Sequence, residues 1–84
     1  MGERILIVED EETLRHNLAT FFVREGHVAA AAASGSEALT LLVKQSFDIM
    51  VTDIQLGDLN GLELLKRVRA EAPDTVVLMM TAYA

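Results

Sequence analysis

The sequence predicts an α/β fold with one open parallel sheet, on three observations. Four short apolar runs of strand length alternate with three stretches whose apolar residues recur at helical spacing. Such alternation builds strand-helix-strand units with right-handed crossovers. Two of the apolar runs also end on carboxylates, placing acids at strand ends, where open α/β folds hold their ligands.

The first run, Arg4 to Val8, carries Ile5, Leu6, Ile7 and Val8 in succession, the composition of a strand buried on both faces. The period then changes. Leu14, Leu18, Phe21 and Phe22 recur at helical spacing up to Gly26, which suits the left-handed conformation that closes a helix. Val28 to Ala33 reads as a weak second strand. Ser34-Gly35-Ser36 supplies a turn and a cap, and Ala38, Leu39, Leu41 and Leu42 mark a second helix ending near Gln45. Phe47 to Thr52 is the third strand. Gly57-Asp58-Leu59-Asn60-Gly61 is loop-like, and Leu62, Leu65 and Val68 lie on a third helix that Pro73-Asp74 ends. Thr75 to Met80 is apolar on both faces, as in a strand covered by helices on each side.

A chain of 84 residues fits a single small domain over 1–84 or a piece of one, and at this size about 60–65% of the unfolded surface is buried. Alanine inflates the 51% hydrophobic content, so Ile, Leu, Val, Phe and Met are expected to form the core. Seven basic against thirteen acidic residues give a net charge of −6. That balance disfavours unaided contact with nucleic acid or anionic lipid and favours cations and basic partners. Without cysteine there is neither a disulfide framework nor a thiolate metal site, which suits a reducing compartment. The opening Met1-Gly2-Glu3-Arg4 is unlike a signal peptide, and no apolar run reaches membrane-spanning length. The expectation is a soluble, cytoplasmic protein that does not enter a membrane. The chain stops directly after its fourth strand pattern, so a truncated or engineered domain is expected.

Chemistry concentrates at Glu9-Asp10, after the first strand, and at Asp53, after the third. Taken alone, Glu9-Asp10 reads as a helix start, because acids cap helices and oppose their dipole favourably. Asp53 caps no obvious helix. Carboxylates at the ends of two buried strands call for a cation, and a hard divalent ion such as magnesium suits oxygen ligands. Thr81 adds a hydroxyl at the end of the fourth strand. His16 and His27 are too isolated to suggest zinc. Phe21, Phe22 and Phe47 read as core.

The pattern Ile5-Leu6-Ile7-Val8-Glu9-Asp10-Glu11, then Phe47-Asp48-Ile49-Met50-Val51-Thr52-Asp53, then Gly61, then Met79-Met80-Thr81-Ala82 resembles the receiver domain of bacterial two-component response regulators. Asn60-Gly61-Leu62-Glu63-Leu64-Leu65 and the closing Met80 to Ala84 look most like receivers of nitrogen-regulation-type transcriptional activators. The resemblance implies a flavodoxin-like fold with strands in the order 2-1-3-4, lacking a last helix-strand-helix. It also implies a phosphorelay module rather than an enzyme, with at most self-catalysed phosphorylation. Asp53 would be the phosphoacceptor, served by a sensor histidine kinase. Glu9, Asp10, Asp53 and the backbone carbonyl of Gln55 would hold Mg2+ or Mn2+, and Thr81 would contact the phosphoryl group. No direct nucleic-acid binding is expected of this segment.

Two departures stand out. The family carries a Lys at the end of a fifth strand, and no Lys or Arg follows Arg69 here; Lys44 and Lys66 read as solvated helix positions. The family's usual Pro four residues after the acceptor is Gly57. A flavin- or nucleotide-binding module would need glycines and free amides after the first strand, where Glu9-Asp10-Glu11-Glu12 repels phosphate. A haloacid-dehalogenase-type phosphatase would need an acid at Gln55. The remaining alternative is a shortened receiver acting as a self-assembling unit, with the exposed edge of its fourth strand making a homodimer.

Overall fold

The computed structural model describes residues 2–80. The elements run β1 (Arg4–Val8), α1 (Glu12–Arg24), β2 (Val28–Ala32), α2 (Gly35–Lys44), β3 (Ile49–Asp53), α3 (Gly61–Glu71) and β4 (Val76–Met80). The four strands form one parallel sheet in the order β2-β1-β3-β4. β1 is central and lies between two neighbours, so its continuous apolar run is buried from Ile5 to Val8.

Alternation along the strands divides the core. Leu6, Val8 and Met50 face α2 and α3, where they meet Ala38, Leu64, Val68 and Phe47. Ile5, Ile7 and Val51 face the opposite side, against Leu18, Ala19 and Phe22 of α1. Burying a side chain of this size contributes about 1.5–3 kcal/mol, so the two layers supply the main stabilisation.

Local signals set the helix ends. Ser34 accepts from the Glu37 amide and caps α2, as its position suggested. Asn60 does the same for α3 through Glu63. Gly26 closes α1 with φ of +92°, the left-handed geometry that side chains disfavour.

Several details differ from the sequence reading. Phe47 belongs to the core but precedes β3, which starts at Ile49 and includes Asp53. The intervening Asp48 instead accepts from the Arg4 amide through its carboxylate. Phe21 is 55% exposed, and Leu14 is also exposed. Among the described residues α1 is the only helix on its face of the sheet, so only one flank of its apolar stripe finds a partner. On α3 the anchoring pair is Leu64 and Val68, four residues apart, while Leu62 faces out. Among the described residues β4 is covered unevenly: Val77 packs against the α2–α3 side and Met80 against the α1 side, while Val76 and Leu78 are 57% and 51% exposed.

Candidate functional site

β1 and β3 are adjacent and parallel, with Val8 opposite Thr52. Their C-terminal ends therefore bring Glu9 and Asp53 to the same edge of the sheet. Asp10 follows Glu9, and ligand oxygens of Glu9, Asp10 and Asp53 all lie within 4.8 Å of one another. They border an open cleft of about 450 Å³, together with Leu14, Gln55 and Gly57.

Glu9 is only 2% exposed. Its Oε2 accepts from the Glu11 amide at 3.0 Å, whereas its buried Oε1 has no partner. Desolvation raises the Glu9 pKa above the usual carboxylate range; the Glu11 amide opposes this, and Asp10 and Asp53 add to it. An unsatisfied buried carboxylate oxygen is costly, and here it belongs to a residue clustered with two other acids. Among the described residues the one ion pair is Arg67–Glu63, remote from the cleft, so no protein cation pairs with the cluster.

The bland reading of Glu9-Asp10 as a helix start is displaced by one residue. Glu11 caps α1, its Oε2 accepting from the Leu14 amide at 2.6 Å. Glu9 and Asp10 are thereby left to the cleft. Arg15, one turn into α1, donates to the backbone carbonyls of Glu9 at 3.0 Å and Asp10 at 3.4 Å. It braces the backbone that carries the acids without neutralising their carboxylates. The sequence reading passed over Arg15, although its place six residues after Glu9, on the first turns of a helix, was a usable signal.

At the other strand, the Gln55 amide donates to Asp53 Oδ1 at 3.2 Å. Gln55 bridges Asn60 in antiparallel fashion, and the Ile54 amide donates to the Met80 carbonyl at 3.1 Å. The β3–α3 loop thus turns back beside the cleft, which places Gln55 next to the three acids. Gly61 was read only as a loop and motif residue. Its reason is packing: a Cβ there would sit 2.8 Å from the Asp53 carbonyl oxygen and 2.7 Å from Ile54 Cα. Thr81 lies outside the described residues. Lys44 and Lys66 are exposed on their helices. His27 accepts from the Glu3 amide through Nδ1, away from the cleft.

The residues fit a hard cation. The donor set is all oxygen and lines an open cleft, and one carboxylate oxygen of Glu9 is buried and orphaned. An open parallel sheet with an acidic cleft at the carboxyl ends of its central strands defines a flavodoxin-like module built around clustered acids. Residues 5–84 match the family described as Response regulator receiver domain. The chain belongs to that family and is a receiver domain of two-component response regulators, which histidine kinases phosphorylate.

The chain is 36% identical over 83 residues to sporulation initiation phosphotransferase F of Bacillus subtilis (strain 168), covering 99% of this chain and 67% of that protein. It is 38% identical over 81 residues to the regulatory protein AtoC of Escherichia coli (strain K12), covering 96% of this chain but 18% of that one. Among solved structures, it resembles response regulator TrrA from Thermotoga maritima in complex with Mg2+-BeF. That match has a TM-score of 0.90 and 32% identity, covering 98% of this chain and 71% of that one. A response regulator from Burkholderia pseudomallei, solved with a phosphorylated aspartic acid, a calcium ion and citrate, gives a TM-score of 0.91 at 30% identity. There the match covers 99% of this chain and 49% of that one.

Proposed function

We propose that Asp53 is the phosphoacceptor of this receiver domain and that Glu9, Asp10, Asp53 and the Gln55 carbonyl hold magnesium beside it, with manganese as a substitute. The observation that carries the reading is the cluster of Glu9, Asp10 and Asp53, whose carboxylate oxygens lie within 4.8 Å of one another while Oε1 of the buried Glu9 has no partner. When bound, the ion supplies positive charge to the acids and to the incoming phosphoryl oxygens. The chain's own residues do the positioning. The Gln55 amide holds Asp53 Oδ1, which leaves Oδ2 to attack phosphorus. As the O–P bond forms, the P–N bond of a phosphohistidine donor breaks and the imidazole departs with the electron pair. Thr81, outside the described residues, is assigned the phosphoryl contact on the family resemblance alone. The donor is a sensor histidine kinase, and the product is an aspartyl phosphate rather than a released product, so the domain is not a turnover enzyme. The phosphorylated aspartic acid of the Burkholderia neighbour supports this assignment.

Labelling with a small phosphodonor and magnesium, followed by borohydride trapping and mass spectrometry, tests the reading. The label is expected on Asp53 and is lost in Asp53→Asn. A label elsewhere, or one that survives that substitution, overturns it.

The reading also places the domain in the cytoplasm, with no direct nucleic-acid contact, in keeping with its net charge of −6. The domain forms a homodimer along β4, whose outer edge has no strand neighbour among the described residues and whose Val76 and Leu78 are exposed. Sedimentation equilibrium at micromolar concentration is expected to give a dimer for the wild type and a monomer for Leu78→Lys. A folded wild-type monomer refutes the dimer without touching the phosphoacceptor assignment.

A further inference from the structure

We propose that Asp58 is a positioning residue, whose carboxylate ties the β3–α3 loop to the first turn of α2 and thereby holds Gln55 in place beside Asp53. The inference rests on the reading of Asp53 as phosphoacceptor beside a metal site.

The loop between β3 and α3 is secured at its base. The Gly61 amide donates to the Ile54 carbonyl, and Gln55 bridges Asn60. Its tip is held differently. Asp58 Oδ1 accepts from the Gly35 and Leu59 amides, both at 2.9 Å. Oδ2 accepts from the Ser36 amide at 2.9 Å and the Ser36 hydroxyl at 2.7 Å. The Gly35 and Ser36 amides belong to the helix N-terminus, where backbone donors lack intrahelical partners and negative charge is favoured. Ser34 satisfies Glu37 only, so Asp58 completes the cap from a different segment of the chain. The adjacent Leu59 packs on Gly35 so closely that a Cβ at Gly35 would lie 2.8 Å from Leu59 Cδ1. The loop tip therefore has a polar and an apolar attachment to α2.

This strut sits three residues from the Gln55 carbonyl and one from Gly57, a glycine that leaves the loop backbone unrestrained. The Gln55 amide reaches Asp53 Oδ1 at the long distance of 3.2 Å. A small displacement of the loop breaks that contact and would carry the Gln55 carbonyl away from the acids that would hold the ion with it. Asp58 bonds no proposed ligand itself, so its effect reaches Gln55 through the loop backbone.

The test is magnesium titration by calorimetry, with the initial rate of labelling by a small phosphodonor and the melting temperature measured in parallel. Asp58→Ala is expected to weaken magnesium by up to about 10-fold, the low end of what losing a direct partner of a metal ligand costs, and to slow labelling. Asp58→Asn, which can still accept from Gly35 and Leu59 but turns an amide donor toward Ser36, gives a smaller loss and serves if the alanine variant does not fold. Adding Gly57→Pro to Asp58→Ala separates positioning from simple helix capping. Gly57 does not have positive φ, its amide makes no backbone hydrogen bond with another element, and a Cβ there meets only Asp10 Oδ2 at 3.9 Å. Proline therefore stiffens the loop without touching α2 and is expected to restore most of the magnesium affinity while recovering only the part of the melting temperature that a compatible proline adds by itself, as measured in Gly57→Pro alone. Unchanged magnesium affinity in Asp58→Ala, with only a lower melting temperature, overturns the positioning role. A wild type that binds no magnesium and takes no label instead overturns the phosphoacceptor reading itself.

Discussion

Replacing Glu9 with Gln is expected to stabilise the metal-free protein while weakening its response to magnesium. The buried Glu9 carboxylate has one satisfied oxygen and one orphan, with acid oxygens no more than 4.8 Å apart around it. At that separation two like charges repel by about 0.9 kcal/mol in bulk water and about 3.5 kcal/mol at an effective dielectric of 20. Asp10 is exposed, which pulls the value toward the lower figure. In Glu9→Gln the amide oxygen keeps the Glu11 hydrogen bond, and the amide nitrogen turns toward Asp10 and Asp53 as a donor. The metal-free gain is therefore about 1–2 kcal/mol. With magnesium at 100 times its dissociation constant the wild type gains about 2.7 kcal/mol, a rise of roughly 11–22 °C for a chain of this size. A variant that binds 10- to 100-fold more weakly gains only about 0.4–1.4 kcal/mol at the same concentration. The pH dependence has a definite sign. Because burial raises the Glu9 pKa in the folded state, the fold retains a proton that the unfolded chain has lost. Wild-type metal-free stability consequently falls as pH rises from the ordinary glutamate value through the raised one, and this component is absent from the variant. Thermal melts with chelator and with magnesium, across mildly acidic to neutral pH, measure all three effects. A variant less stable than wild type in chelator, yet with the full magnesium response, would refute the reasoning.

Asp10→Asn should weaken magnesium binding more than Glu11→Gln in a calorimetric titration, because Asp10 faces the cleft while the Glu11 carboxylate is engaged in capping α1. Equal effects remove the metal assignment. Gly61→Ala should destabilise by about 1–3 kcal/mol in urea unfolding and also depress labelling of Asp53, since its new methyl collides with the Asp53 carbonyl and Ile54. Full labelling in a destabilised variant shows that the collision is absorbed away from the site. Leu64→Ala opens a cavity beneath α3 and should cost about 2–5 kcal/mol, with magnesium affinity retained in the folded fraction.

The sequence was sufficient for the fold class and the acid cluster, because both depend on local order. Ile5 to Val8 can be buried only between two strands and two helix layers, and a carboxylate placed directly after a buried strand must emerge at the sheet edge. The capping signal at Ser34 was equally local, whereas Asn60 read only as part of a loop until the structure showed it capping α3. Which flank of α1 and α3 meets the sheet was not local. Phe21 and Leu62 carry apolar side chains at helical spacing, but their exposure depends on whether another element lies beside them. Arg15 reaches carbonyls rather than carboxylates, a distinction of side-chain direction that residue spacing does not encode. Asp58 is the extreme case. Its partners lie 22 and 23 residues earlier in the chain, and in sequence it is one polar residue of a loop. Only the packing of two crossovers on the same face of the sheet brings that carboxylate to a helix end with unpaired amides, and the orphaned oxygen of Glu9 likewise becomes visible only once burial has removed water from it.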